Sequence, residues 1–427
     1  MRKSNKIAIR ALLILGLAIL LGSRVSAVSM AKTTVLQTDV STASAGCTLV
    51  GIAGSYTTDA AAALKRINEI RQEACREGVP NPSDPLKALQ ESDYVPLKWS
   101  MDLEQIARIR AAEAIVVTGH TRPNGKSCFS LKSPNGVSST SEVLAWSSSS
   151  SMVAAVNQWY SEKDDWVHGN DAVTGHYTAM IDPSNVSVGL GLFTSLDGAW
   201  PSAACGRFSR ASQKDTTQMA AVSYCIQLIE VQQIYLSDEG SIEWAPWVRM
   251  VKCNNLVIGN SWECFLMRTL TSGVRESRVC VMEPITWTSS NSKVATINNS
   301  GVLKITGMGT TTIKAVSQSG IVGSRSITVK SRLASVKLKK IQAGKKKLTI
   351  RWKAVKNAKG YQIQYATKKN FKSGMKKITI KGAAKKAKTI KKLKSKRKYY
   401  IRIRSYGTEK GKRVYSAWSA VRSVKTK

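Results

Sequence analysis

The strongest constraint on this chain is a change in the spacing of its apolar residues near Pro183. Before it, apolar residues recur at helical spacing. Ala60, Ala63, Leu64, Ile67, Ile70 and Ala74 share one face, which predicts a helix from Asp59 until Gly78 and Pro80 stop it. A second helix is expected after Ser100, whose hydroxyl suits an N-cap, with Asp102 and Glu104 at the positive end of the dipole. Its buried stripe reads Leu103, Ile106, Ala107, Arg110, Ala111 and Ala114, and Gly119 ends it. A third helix starts in the serine run 147–151 and carries Met152, Val156, Trp159 and Tyr160 on its apolar face. After Pro183, Val186, Val188, Leu190 and Leu192 alternate with Ser187, Gly189 and Gly191, the period of a strand. Residues 221–227 are a second strand candidate. Helices first and strands later give an α+β order over a normal domain length.

From about residue 228 helical spacing vanishes, and short strands separated by Gly, Ser and Asn turns predict β-sandwiches. Leu348, Ile350 and Trp352 alternate, as do Tyr361, Ile363 and Tyr365, with Lys or Arg at most of the outward positions. Two all-β sandwiches in tandem are expected.

Charge divides the chain in the same way. Of 65 Lys and Arg residues, 34 lie in 331–427 beside a single acid, Glu409, whereas 28–330 holds 26 basic and 26 acidic residues. A uniformly basic nucleic-acid protein is thereby excluded. The self-repulsion of such a tail calls for a polyanionic partner. Lysines outnumber arginines there by 27 to seven, which favours diffuse, salt-sensitive attraction over base reading. Anionic cell-wall polymers or phospholipid head groups are the expected partners, with no sequence-specific nucleic acid.

The first 27 residues read as a secretory signal: Arg2, Lys3, Lys6 and Arg10, then an apolar run over 11–21, then Val25-Ser26-Ala27. The apolar run is shorter than the ~20 residues a bilayer span needs. The expected setting is extracellular, at the wall of a Gram-positive cell. Eight cysteines in an oxidising compartment suit disulfides, and Cys205 with Cys225 is the one pairing suggested.

Only three histidines occur. His120 stands in Gly119-His120-Thr-Arg-Pro-Asn-Gly125 and His176 in Gly175-His176-Tyr-Thr178, with Glu142 and Glu162 between them. Glu162 follows Trp159 at helical spacing, toward the apolar side, where an unpaired carboxylate is costly. Such a group wants a His, an Arg or a metal as partner. His168 matches no motif and reads as a structural or surface residue rather than a ligand.

These fragments, with Leu64-x-x-Ile-Asn-x-x-Arg71 and Pro96-Leu-Lys-Trp99, resemble the CAP superfamily of cysteine-rich secretory, antigen 5 and pathogenesis-related proteins over about residues 59–226. The resemblance implies a three-layer α-β-α sandwich in which His120, Glu142, Glu162 and His176 converge in a cleft. It implies His120 and His176 as ligands of a divalent metal such as zinc, with Glu142, Glu162 and Tyr177 as ligand-binding residues. Imidazoles and carboxylates bind zinc at ~2.0–2.2 Å and leave a position open. The chain departs from the family pattern where Ala179, Met180, Ile181 and Asp182 follow the second motif and where Val143 follows Glu142. The wall of the cleft therefore differs. A non-enzymatic binding module is the expected role. The alternative is a metal-dependent hydrolase or protease acting at the cell wall, with Glu162 or Glu142 as base.

Trp287-Thr-Ser-Ser-Asn and Val294-Ala-Thr-Ile297 resemble a bacterial group 2 Ig-like domain. Residues 335–427 resemble fibronectin type III, with Trp352 and Tyr361 as core aromatics and Leu393 and Tyr399 at the tyrosine corner. The expected organisation is a signal peptide over 1–27, a flexible lead-in over 28–57, a CAP domain over 58–227, an Ig-like domain over 228–330 and a basic fibronectin type III domain over 333–427.

Overall fold

The computed structural model describes residues 33–57, 59–212, 217–244, 256, 258–330, 333–409 and 411–427. The signal segment 1–27 and Cys253 lie outside them. In chain order the first region contains β1 (Val35–Leu36), β2 (Cys47–Tyr56), α1 (Ala60–Glu77), β3 (Pro80–Asn81), β4 (Asp84–Ala88), β5 (Lys98–Trp99), α2 (Met101–Val116), β6 (Ser141–Ser147), α3 (Met152–Tyr160), α4 (Lys163–His168), α5 (Gly175–Ile181), β7 (Ser187–Ser195), β8 (Ser202–Ser209) and β9 (Val222–Gln232). The strands run β9-β2-β7-β8-β6 across one sheet, antiparallel at every step.

Helices cover both faces. Ala63, Ile67, Ile70 and Ala74 of α1 join Val156 and Trp159 of α3, Met180 of α5, and Val143, Val188 and Phe208 of the sheet in one core. On the other face Ala107, Ala111 and Ala114 of α2 pack with Ile52, Leu144, Phe193 and Ile229. The result is the expected three-layer α-β-α sandwich.

Local chemistry sets the helix ends. The Ser100 and Ser151 hydroxyls accept from the amides of Leu103 and Ala154. Gly78 closes α1 at φ 65°, a left-handed conformation that glycine adopts without a Cβ clash. Two glycines of β7 decide how near α2 can lie. A Cβ on Gly189 would stand 2.0 Å from the Glu104 nitrogen, and one on Gly191 2.5 Å from the Arg108 nitrogen. The helix backbone therefore rests directly on the strand.

Residues 47–56 correct the flexible lead-in. They form a ten-residue strand paired with β9 from Cys47↔Gln232 to Tyr56↔Val222. Small residues suit a strand at the sheet centre, where both faces are covered and alternation disappears. The same pairing corrects the boundary at 227, which would cut through β9.

The next strands are β10 (Leu236–Trp244), β11 (Ser261–Ser272), β12 (Arg275–Val281), β13 (Ile285–Ser289), β14 (Ala295–Ile297), β15 (Val302–Ile305), β16 (Gly309–Ser317) and β17 (Val322–Val329). Strands β13, β16 and β17 pair antiparallel in sequence, and Trp287, Ile313 and Ile327 are buried between the layers. β11 is shared. Its start, 261–263, pairs with β15, and its end, 267–272, pairs with β12, whose Cys280 and Val281 continue onto β2. Leu270 and Val279 belong to the α2-side core. The segment 236–281 thus serves both regions.

The last region holds β18 (Leu338–Gly344), β19 (Lys347–Trp352), β20 (Gly360–Ala366), β21 (Lys376–Lys381), β22 (Ala387–Ile390), β23 (Lys398–Glu409), β24 (Lys412–Tyr415) and β25 (Arg422–Lys425). Sheets β18-β19-β22 and β21-β20-β23-β24, with β25 also on β23, enclose Trp352, Tyr361, Ile363, Ile401 and Ile403. The Tyr399 hydroxyl accepts from the Lys394 amide at 3.1 Å, beside buried Leu393. The fold is therefore α+β, an α-β-α sandwich followed by two all-β sandwiches.

Candidate functional site

Strand alternation aims Glu142 at α2. Val143 and Ala145 of β6 face the α1 side, while Leu144 faces α2. Glu142, two residues from Leu144, shares that face. Its partner in register on β8 is Arg207. Arg110 reaches the same carboxylate from α2 through Nε at 2.8 Å and Nη2 at 3.1 Å, and Arg207 Nη1 also donates to it. The side chain of Glu142 is 1 % exposed and both guanidinium groups are 0 % exposed.

His120 meets this carboxylate from a tight loop. Thr121 and Ser127 form an antiparallel bridge, and Gly125, at φ 82°, turns the chain between them. The Cys128 amide donates to the His120 carbonyl at 3.2 Å, so residues 120 and 128 stand opposite each other at the loop's mouth. His120 Nδ1 lies 2.9 Å from Glu142 Oε1.

The second pair is built between helices. Glu162 lies between α3 and α4, not on α3, because α3 ends at Tyr160. Its Oε2 accepts from the amides of His176 and Tyr177 at 2.9 and 3.1 Å, and Oε1 lies 2.5 Å from His176 Nδ1. The carboxylate thereby satisfies first-turn donors of α5 and orients its imidazole. The two imidazole rings lie with centroids 6.5 Å apart and planes tilted by 33°. All four side chains singled out by sequence meet at one place.

Tyr177 corrects the ligand-binding expectation. Its side chain is 0 % exposed and belongs to the α1-side core, beside Tyr160, so it contributes a backbone amide and not a ligand-facing ring. His168 is exposed and lies against the Asp164 carbonyl. Cys205 and Cys225 are unbridged, on strands that two others, β7 and β2, separate.

The electrostatics follow from this packing. Hydrogen bonding to the Cys128 thiol and the Glu142 carboxylate raises the His120 pKa to about 9, against partial burial. Burial pushes Glu142 up, but bonds from His120 and Arg110 and the charges of Arg110 and Arg207 outweigh it and hold the carboxyl at about 2. Behind the pair, Glu113 joins Arg110 at 3.0 Å and Arg122 at 2.7 Å, and Arg122 continues to Asp39 at 2.8 Å. Sequence reading missed Arg207, Glu113, Arg122 and Asp39. It placed Arg110 on a buried stripe, which was the available signal of an inward charge needing a partner.

Imidazole and carboxylate are donor types that suit a divalent cation. A carboxylate on Nδ1 fixes each imidazole, a common arrangement around protein-bound metals. Two rings on one ion put their centroids at most ~6.4 Å apart, from Zn–N of ~2.0–2.1 Å and the ring radius. From the 6.5 Å between centroids seen here, a tetrahedral angle needs the rings to approach by roughly 1 Å. Glu142, already engaged by two arginines, serves as orienting group more readily than as ligand.

Residues 64–199 match the model of the cysteine-rich secretory protein family, CAP. That stretch includes every residue of the double His–Glu arrangement. Residues 283–319 match the intimin immunoglobulin-like domain, in the region of β13 to β16. No curated protein matches the chain. Among solved structures, a computer-redesigned β-sandwich protein is 17% identical, covering 21% of this chain and 84% of that one, with a TM-score of 0.17. The chicken CNTN1 FN1–FN3 domains are 13% identical over 44% of this chain and 55% of that one, with a TM-score of 0.20. Likenesses at that level carry no weight.

Proposed function

We propose that this is a secreted, envelope-associated bacterial binding protein whose CAP region holds a divalent metal, zinc by donor chemistry, or a small ligand between His120 and His176. The carrying observation is the pair of imidazoles with centroids 6.5 Å apart, each held at Nδ1 by its own carboxylate. In this reading Glu142 and Glu162 orient the ring nitrogens, and a bound ion supplies Lewis acidity to whatever third ligand enters. The Ig-like module, of the bacterial group 2 type in this reading, acts as a spacer. The fibronectin-type module, with its 27 lysines, holds the protein on anionic wall polymers or phospholipid head groups of a Gram-positive surface.

Binding is favoured over turnover by the state of the two acids. A carboxyl held at about 2 by His120 and two arginines is a weak base. Glu162 already accepts two amides and an imidazole. The test is zinc content of the purified full chain after equilibrium dialysis, beside the double variant His120→Ala, His176→Ala. Stoichiometric zinc lost in the variant is the expected result. Equal content in both overturns the reading.

A further inference from the structure

Resting on that reading, we infer that Cys128 is a third metal ligand, making the site a mixed imidazole–thiolate centre. The ligand atoms of His120, Cys128 and Glu142 all lie within 4.8 Å of one another. The loop architecture holds two of them together. Residues 120 and 128 flank the Thr121↔Ser127 bridge, and the Cys128 amide donates to the His120 carbonyl. Side chains on such opposed residues start from Cβ atoms ~4.5–5.5 Å apart, so both can reach one ion. The Arg122 amide donates to Lys126 O and the Gly125 amide to Arg122 O, both at 2.9 Å, which closes the loop. Arg207 Nη2 donates to the Cys128 carbonyl at 3.0 Å and ties it to the sheet.

The third donor follows by elimination. Glu142 is the other candidate in the cluster, but Arg110, Arg207 and His120 occupy its oxygens. Recruiting it to an ion would compete with its ion pairs to Arg207 and Arg110, both buried. The thiol engages only His120, itself a proposed ligand, among the side-chain contacts described, and is unbridged. A tetrahedral ion with Zn–S of ~2.3 Å and Zn–N of ~2.0–2.1 Å needs donors ~3.5 Å apart, a modest contraction of the cluster. His120 and Cys128 then supply two ligands from one loop, His176 lies outside that cluster with its ring centroid 6.5 Å from that of His120 and completes a set of three only by approaching, and the thiolate biases the site toward zinc over magnesium or calcium. Metal binding releases the thiol proton to solvent.

The probe is cobalt(II), added to the reduced full-length protein. Thiolate ligation gives a near-ultraviolet sulfur-to-cobalt charge-transfer band beside the visible ligand-field bands, and zinc should abolish both. Cys128→Ser should lose the charge-transfer band, keep weak visible bands, and bind cobalt at least tenfold more weakly. The wild-type spectrum needs no variant to fold. Visible bands without a charge-transfer band, or an unchanged band in Cys128→Ser, overturn the thiolate ligand and leave the imidazole site standing. No cobalt or zinc uptake by the wild type removes both.

Discussion

Replacing Glu142 by Ala should destabilise the CAP region more than any other single change at the site. Among the described residues, the substitution removes the one anion that Arg207 pairs with and one of two that Arg110 pairs with, all three side chains being at most 1 % exposed. Arg110 retains Glu113 at 3.0 Å, and Arg207 retains the Cys128 carbonyl at 3.0 Å. Breaking a buried pair by deleting one partner costs ~3–5 kcal/mol, and the retained contacts point to the lower end. For a unit of this size, each ~1 kcal/mol lowers Tm by roughly 2–4 °C, so a fall of roughly 6–12 °C is expected. Glu142→Gln keeps an oxygen acceptor and should lose about half as much. Urea titration followed by tryptophan fluorescence and circular dichroism measures both. The pH dependence supplies a second reading. Glu142 is depressed to about 2 from 4.5, so its contribution is complete above 4.5 and is lost as pH falls through about 2. His120 is raised to about 9 from 6.5, so its contribution is complete below 6.5 and is lost as pH rises through about 9. The pair therefore stabilises most between these limits, and Glu142→Gln should flatten the acid side. A loss below ~0.5 kcal/mol in both variants, with unchanged acid sensitivity, would refute the idea that this carboxylate ties the strand to the helix.

Glu162→Gln should weaken zinc binding by ~10–100-fold without abolishing it, since it alters the group behind the ligand, as isothermal titration can measure. Gly189→Ala should cost several kcal/mol, more than a usual ~1 kcal/mol substitution, because the added carbon would stand 2.0 Å from the Glu104 nitrogen; thermal unfolding tests it. Retention on anionic polymer should fall steeply with salt and vanish when 333–427 is deleted; unchanged co-sedimentation with cell-wall fragments would count against the charge argument.

Much of the helical layer was legible in sequence because its signals are local. Ser100, Ser151 and Gly78 act within one turn, so their caps stand where side-chain chemistry predicts. The two histidines and two acids were found through motif resemblance, though the spacing that joins them is tertiary. Glu142 and Arg207 are 65 residues apart in sequence and opposite each other in the sheet. No periodicity encodes such a pair. β2 was missed because a strand covered on both faces need not alternate, and its Gly, Ala, Ser and Thr composition resembles a loop. α2 was read as one apolar stripe, but nearly its whole surface is buried, including Glu104, Arg108, Arg110 and Glu113. Glu104 pairs with Arg108 at 2.8 Å, and Glu113 with Arg110. Inward charges that satisfy each other look like an ordinary solvated face until their partners are known.

The course of β11 bears on how this architecture can be taken apart. One unbroken run of backbone, 261–272, is stitched at its start to the immunoglobulin-like sheets and at its end to the hairpin lying against the central sheet. No hinge separates the two along that run. A cassette swap that treats the middle module as an independent bead must sever a continuous ribbon, and tension applied to that bead is delivered along it to the hairpin paired with β2.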